Sequence, residues 1–215
     1  MGDGAASIQP RTSGASREVG YGRLPADLPA PVDDGAAAGL VGRRVPELRL
    51  PSTGGHASDA PRHLRLADLA TRLLVAYVYP MTGTPGRALP HGWDDIPGAR
   101  GCTPQGCAYR DALGEFERLG AALVGISAQS AAEQAEFAAR EHIPFPLLSD
   151  DGLRLRGALG LPTFAVEGRT LYRRLTFVAA RGRIVKVFYP VFPPDRDAGE
   201  VLAWLRDDAE AGAAR

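Results

Sequence analysis

The chain has 215 residues, 45% of them hydrophobic, and its 25 basic and 25 acidic residues cancel to a formal net charge of zero. That length suits one ordinary domain with an extension, and the neutral balance gives no electrostatic footprint for nucleic acid or acidic lipid. No apolar run approaches the roughly 18 residues a membrane span needs, and Met1 to Gly14 lacks the basic start and apolar core of a signal peptide, so a cytoplasmic location is expected.

Residues 1–38 are rich in Gly, Ala, Pro, Ser and Asp with little apolar periodicity, and are expected to be disordered, although Leu24 to Leu28 offers a docking segment. A single domain is expected over 39–208, with 209–215 as a tail. From Leu40 the pattern changes. Gly42 to Pro51 and His63 to Leu69 are two short alternating segments around Gly54-Gly55, which reads as a β-hairpin. Leu73 to Tyr79 is a continuous apolar run, as expected of a strand buried on both faces, and Pro80 ends it. A long loop dense in Gly and Pro follows.

After that loop comes Gly101-Cys102-Thr103-Pro104-Gln105-Gly106-Cys107, which holds both cysteines of the chain. Thr103 is a good N-cap and Pro104 suits the first helical position. Tyr109, Ala112, Leu113, Phe116 and Leu119 then recur at helical spacing. Cys102 is therefore expected at the N-terminus of a helix packed on a sheet. There, unpaired N–H groups and the helix dipole favour an anion, and a cysteine so placed can ionise in the range of roughly 3.5–7.5.

In an unbroken helix, residues five apart have Cα atoms about 8.6 Å from each other, whereas a disulfide wants about 4.4–6.8 Å. Cys102 and Cys107 can join only if the first turn unwinds, and Pro104 and Gly106 both weaken that turn. Two buried hydrophobic cysteines are the plain alternative. A zinc site would need four ligands; the cysteines with His91 supply three.

Further on, Ala121 to Ser127 reads as a second buried strand, residues 130–142 as an amphipathic helix ending near His142, and Ile143 to Asp150 as the second strand of a β-α-β unit. Gly152 to Gly160 reads as a short helix. Leu171 to Ala180 and Ile184 to Tyr189 form strands around Arg181-Gly182-Arg183, a second hairpin. Pro193-Pro194 introduces a last helix from Asp195 to about Asp207, anchored by Val201, Leu202, Trp204 and Leu205.

The segment GCTPQGCAYRD, the preceding PMTGTPG, the later IPFPLLSD and the stretch Arg174-Leu175-Thr176-Phe177 together resemble the Q-type (bacterioferritin-comigratory) peroxiredoxins, whose motif reads close to P-x-x-x-T-P-G-C-T-x-x-x-C-x-F-R-D. The resemblance covers most of residues 40–190. It implies a thioredoxin-like α/β fold with a mixed central sheet flanked by helices, and a thiol peroxidase, active as a monomer or homodimer, that needs no cofactor or metal.

By that resemblance Cys102 attacks a peroxide and Cys107 resolves the product. Arg174, rather than its neighbour Arg173, reaches the attacking sulfur, and Thr84 hydrogen-bonds beside it. The expected partners are hydrogen peroxide or a small organic hydroperoxide, and thioredoxin or a glutaredoxin-like protein as reductant. The chain departs from the motif in one place: residues 87–101 (RALPHGWDDIPGARG), within a loop over 85–101, stand between the glycine and the cysteine. Trp93 and Ile96 suggest that this insertion packs as a lid, with a solvated surface loop as the alternative, and Arg100 adds charge near Cys102. A thiol–disulfide oxidoreductase, or a non-enzymatic redox-sensing module, on the same fold are the alternatives.

Overall fold

The computed structural model describes residue 24, residues 27–54 and residues 62–213. The first hairpin pairs β1 (Arg49–Ser52) with β2 (Arg62–Arg65); Gly55, half of its expected glycine apex, lies outside the described residues. A helical turn α1 (Leu66–Leu69) leads to β3 (Leu73–Val78). Then come α2 (Cys102–Arg118), β4 (Ala121–Ser127), α3 (Ala131–Arg140), β5 (Leu147–Ser149) and α4 (Arg154–Leu159). Two hairpins follow, β6 (Thr163–Val166) with β7 (Arg169–Tyr172) and β8 (Leu175–Ala180) with β9 (Arg183–Phe188), before α5 (Asp197–Ala213).

Seven strands form one mixed sheet in the order β2-β1-β5-β4-β3-β8-β9. β3, β4 and β5 run parallel, and β8 lies antiparallel against β3 with Val78 opposite Leu175. β3 is the middle of the structure because both its faces are covered. Leu74, Ala76 and Val78 enter one apolar cluster with Leu66, Leu155 and Leu159, whereas Val75, Tyr77 and Tyr79 enter another with Phe116, Phe137, Val201 and Leu205. Alternate residues of a strand point to opposite faces, so one continuous apolar run serves both clusters. Truncating either buried phenylalanine, Phe116 or Phe137, should cost about 3–5 kcal/mol.

α2 buries Cys102, Gln105, Gly106, Tyr109 and Phe116, the stripe expected of a helix lying on a sheet. Gly106 is there for space as well as for a weak turn: a Cβ at that position would stand 2.8 Å from Phe137 Cζ of α3. α3 starts at a capping box, in which Ser130 accepts from the amide of Glu133 and the Glu133 carboxylate accepts from the amide of Ser130.

Four local expectations are corrected. The N-cap of α2 is Gly101, at φ 102°, and Thr103 lies buried inside the first turn. A Cβ at Gly101 would collide with Pro194 and stand 2.7 Å from Leu24 Cδ2, so close packing and a left-handed backbone both select glycine over threonine there. Residues 27–38, expected to be disordered, carry hydrogen bonds and packing: Ala37 is buried in the core, and Asp34 accepts a 2.8 Å hydrogen bond from Tyr189.

Third, α5 runs through the expected tail to Ala213, where Ala209, Glu210 and Ala211 are strong helix formers. Fourth, β6 and β7 form a separate two-stranded sheet that the sequence reading passed over. Their turn uses Glu167 and Gly168, both at positive φ, the geometry a two-residue hairpin loop favours.

Candidate active site

The site lies at the carboxyl end of β3, where parallel α/β sheets place their ligands. Cys102 is the first residue of α2 and is 3% exposed. The first main-chain bond of the helix runs from Gln105 N–H to the Gly101 carbonyl at 3.1 Å. Because Pro104 has no N–H, the helix start presents the amides of Cys102 and Thr103 without intrahelical acceptors. As a thiol, Cys102 points its sulfur toward the Ala99 carbonyl at 3.7 Å.

The β3–β8 register delivers the second group. Leu175 pairs with Val78, so Arg174, one residue earlier, stands at the end of β3 beside the start of α2. Its Nη2 donates to Cys102 Sγ at 3.2 Å and to the carbonyls of Ala99 and Arg100 at 3.1 Å and of Gly98 at 3.3 Å. Its Nη1 donates to Gln105 Oε1. Arg174 is 3% exposed, and its guanidinium is fixed on both Nη atoms. Arg173 pairs instead with Asp34 at 4.0 Å.

Behind Arg174 lies a buried polar network that the sequence reading missed. Oδ2 of Asp197, the first residue of α5, accepts from Gln105 Nε2 at 2.7 Å, Tyr109 OH at 2.8 Å and Thr176 Oγ1 at 2.7 Å. Burial pushes the Asp197 carboxyl up, against the lowering effect of those three donors and of Arg174. Among the described residues its Oδ1 has no partner. Gln105 stood inside the motif, but at one of its unspecified positions, and was not singled out. Asp197 looked like an ordinary first-turn acid, and no local signal set it apart.

Cys107 sits one and a half turns along α2, half-buried, and both cysteines are free thiols. Its Sγ lies 3.5 Å from Glu141 Oε2. Burial first, and the Glu141 carboxylate after it, push the thiol up to about 11, with Arg110 pulling the other way. Both cysteines lie within the same continuous helix, so the pair is held in its reduced, unjoined arrangement.

A small cavity of about 20 Å³ opens onto Cys102. Its wall includes Met81, Thr82 and Gly83 from the loop after β3, and Leu89, Trp93 and Arg100 from the insertion. Gln129 holds Thr82 by accepting from its amide at 2.8 Å and its hydroxyl at 3.1 Å. Thr84, expected beside the sulfur, lies one residue past Gly83 and is not among the wall residues; the threonines there are Thr82 and Thr103. The insertion separates Thr84 from Cys102 by eighteen positions, which removes the close spacing of the motif.

The insertion itself is packed. Trp93 is buried in an apolar cluster with Met81, Ala99, Val166 and Leu171, and Arg100 pairs with Asp94 at 2.9 Å. Among the described residues no group of three or more His, Cys, Asp or Glu side chains is placed to hold a metal ion.

Comparisons with known proteins agree with this geometry. The redoxin family profile matches residues 40–202. The chain is 31% identical over 204 residues to the chloroplastic peroxiredoxin Q of Triticum aestivum, spanning 93% of this chain and 85% of that one. It is 34% identical over 146 residues to the chloroplastic peroxiredoxin Q of Oryza sativa subsp. japonica, spanning 67% of this chain but only 59% of the rice protein.

Among solved structures, the peroxidoxin BcpB of Mycobacterium tuberculosis is 29% identical with a TM-score of 0.60, covering 78% of this chain and 97% of that one. The bacterioferritin comigratory protein of Xanthomonas campestris, at 24% identity and a TM-score of 0.58 over 85% of this chain and 99% of that one, shares the fold. The chain belongs to the redoxin family and, within it, to the Q-type peroxiredoxins, which are thiol-dependent peroxidases.

Proposed function

We propose that Cys102 is the peroxidatic residue and Cys107 the resolving one. The single observation that carries this reading is the 3.2 Å approach of Arg174 Nη2 to Cys102 Sγ at the start of α2. As a thiolate, Cys102 attacks the terminal oxygen of hydrogen peroxide or a small organic hydroperoxide. The O–O bond breaks, the attacked oxygen stays on sulfur as a sulfenic acid, and the other oxygen leaves as hydroxide or alkoxide and takes a proton. The Arg174 guanidinium and the amides of Cys102 and Thr103 stabilise the charge as it moves along the S–O–O line. Thr84, one residue past Gly83 of the cavity wall, is the further candidate to hydrogen-bond beside the sulfur.

The Cys107 thiol then displaces water from the sulfenic acid and forms the Cys102–Cys107 disulfide. The helical separation of about 8.6 Å between their Cα atoms requires the first turns of α2 to open before that bond can form. An external dithiol, thioredoxin or a glutaredoxin-like protein, exchanges with the disulfide and restores both thiols. Mass spectrometry after one equivalent of hydrogen peroxide, run beside a peroxide-consumption assay with a thioredoxin system, tests the sequence of steps. The expected product is the intramolecular disulfide in the native chain and a Cys102 sulfenic acid in Cys107→Ser. Normal thioredoxin cycling of Cys107→Ser defeats the resolving assignment.

A further inference from the structure

We propose that the inserted segment 87–101 makes this enzyme selective for hydrogen peroxide over bulky organic hydroperoxides, with Leu89 and Trp93 setting the limit. The inference rests on Cys102 being the peroxidatic residue and names which peroxides reach it.

The cavity above Cys102 is about 20 Å³. On that measure a site needs roughly 10–15 Å³ to hold one water molecule. The reacting oxygens enter that space, and whatever group they carry must pass the wall that Leu89 and Trp93 help to form. Leu89 and Trp93 both belong to the segment that interrupts the family motif, and both form part of the cavity wall. In the uninterrupted motif the glycine precedes the cysteine directly, so residues 87–101 have no counterpart in it.

The wall is braced on two sides. Trp93 is 3% exposed and packs in the cluster with Met81, Val166 and Leu171, its ring 6.1 Å from that of Phe164 on β6. The amide of His91 donates to Glu167 Oε1 at the β6–β7 turn, at 3.0 Å. At its far end the segment's carbonyls at Gly98, Ala99 and Arg100 all accept from Arg174 Nη2. The segment is therefore bound to a separate hairpin at one end and to the site arginine at the other. To admit a large alkyl group it would have to pull Trp93 out of its cluster or loosen Arg174. Close-packed walls of this kind resist added methylenes, and apolar pockets discriminate by about 10–200-fold per misfitting group.

The test compares second-order rate constants for Cys102 oxidation by hydrogen peroxide and by cumene hydroperoxide, read by quenched mass spectrometry on the full chain. The wild type is expected to prefer hydrogen peroxide by about tenfold or more. Trp93→Ala and Leu89→Ala are each expected to narrow that preference about fivefold or more by raising the cumene hydroperoxide rate. Leu89 is only half-buried, so its variant reads the wall even where Trp93→Ala loses the fold. Equal wild-type rates for the two peroxides, or an unchanged preference in Leu89→Ala, overturn the selectivity alone. Oxidation of Cys102 by neither peroxide overturns the peroxidatic reading, and the inference with it.

Discussion

Gln105 Nε2 stands 2.7 Å from Asp197 Oδ2, joining the second turn of α2 to the first residue of α5. The same side chain accepts from Arg174 Nη1. Gln105 lies between the two cysteines, on the part of the helix that must open for them to meet. Its buried amide therefore serves the two halves of the cycle in opposite senses, fixing the arginine for peroxide attack and holding the helix closed against disulfide formation.

Gln105→Ala should separate those halves. Hydrogen bonds involving charged groups contribute about 1.5–3 kcal/mol, and about 1.4 kcal/mol is a factor of ten in rate. Sulfenic acid formation is expected to slow by roughly tenfold or more, while the following disulfide step speeds up because the turn opens more readily. Rapid-quench mass spectrometry resolves both steps, and wild-type rates for both would remove Gln105 from the site.

Arg174→Ala should slow Cys102 oxidation by about 10²–10³, the usual loss on removing one preorganised donor from a developing anion. Lysine is not expected to restore it, because one ammonium cannot reproduce the forked guanidinium that serves Sγ, three carbonyls and Gln105 together. Arg173→Ala, which removes only an exposed pair at 4.0 Å, should leave the rate within about twofold. Stopped-flow oxidation of the three variants decides between the two arginines.

The pH dependence of stability should carry the mark of Asp197. Burial raises its carboxyl above the unfolded value, so the folded state favours the protonated acid. Its contribution is complete below the unfolded pKa, near 4, and is lost as the pH rises through the raised folded value. Asp197→Asn cannot ionise and should flatten that decline. Thermal midpoints measured from about pH 4 to pH 8 on both proteins test this, and parallel curves would show that the acid does not titrate in the folded chain.

Cys107 should be a poor nucleophile while α2 is intact. With its thiol pushed up to about 11, only about one molecule in 10⁴ is a thiolate at neutral pH. In Cys102→Ser, alkylation of Cys107 by iodoacetamide should therefore climb steeply only in strongly alkaline solution, and Glu141→Gln should move that rise to lower pH by removing a negative neighbour at 3.5 Å. Unwinding the helix start would expose the thiol and lower its pKa, so the motion that brings the sulfurs together also activates the attacking one. A rise centred at the ordinary thiol value in the folded protein would contradict the burial argument.

The local chemistry of the chain was legible without coordinates. The apolar run at Leu73 to Val78 announced a doubly covered strand, and the helical spacing after Cys102 announced α2. These signals lie within a few residues of one another, where strand alternation and helical period act. Gly101 shows the limit even at short range: Thr103 looked the better cap, but Pro194 and Leu24, both remote in sequence, leave room only for a residue without a side chain.

By itself the sequence determined the strands of the central sheet, the helix that carries both cysteines and the chemical kind of the reacting groups. Tertiary structure decided how Arg174 meets Cys102, which threonines line the cavity, that Asp197 backs Gln105, and that the insertion forms a wall. Arg174 and Cys102 are 72 positions apart, and their meeting is set by the register of β8 on β3. Pairing between distant strands and packing of a long insertion depend on the whole core closing at once, which no local pattern of residues encodes.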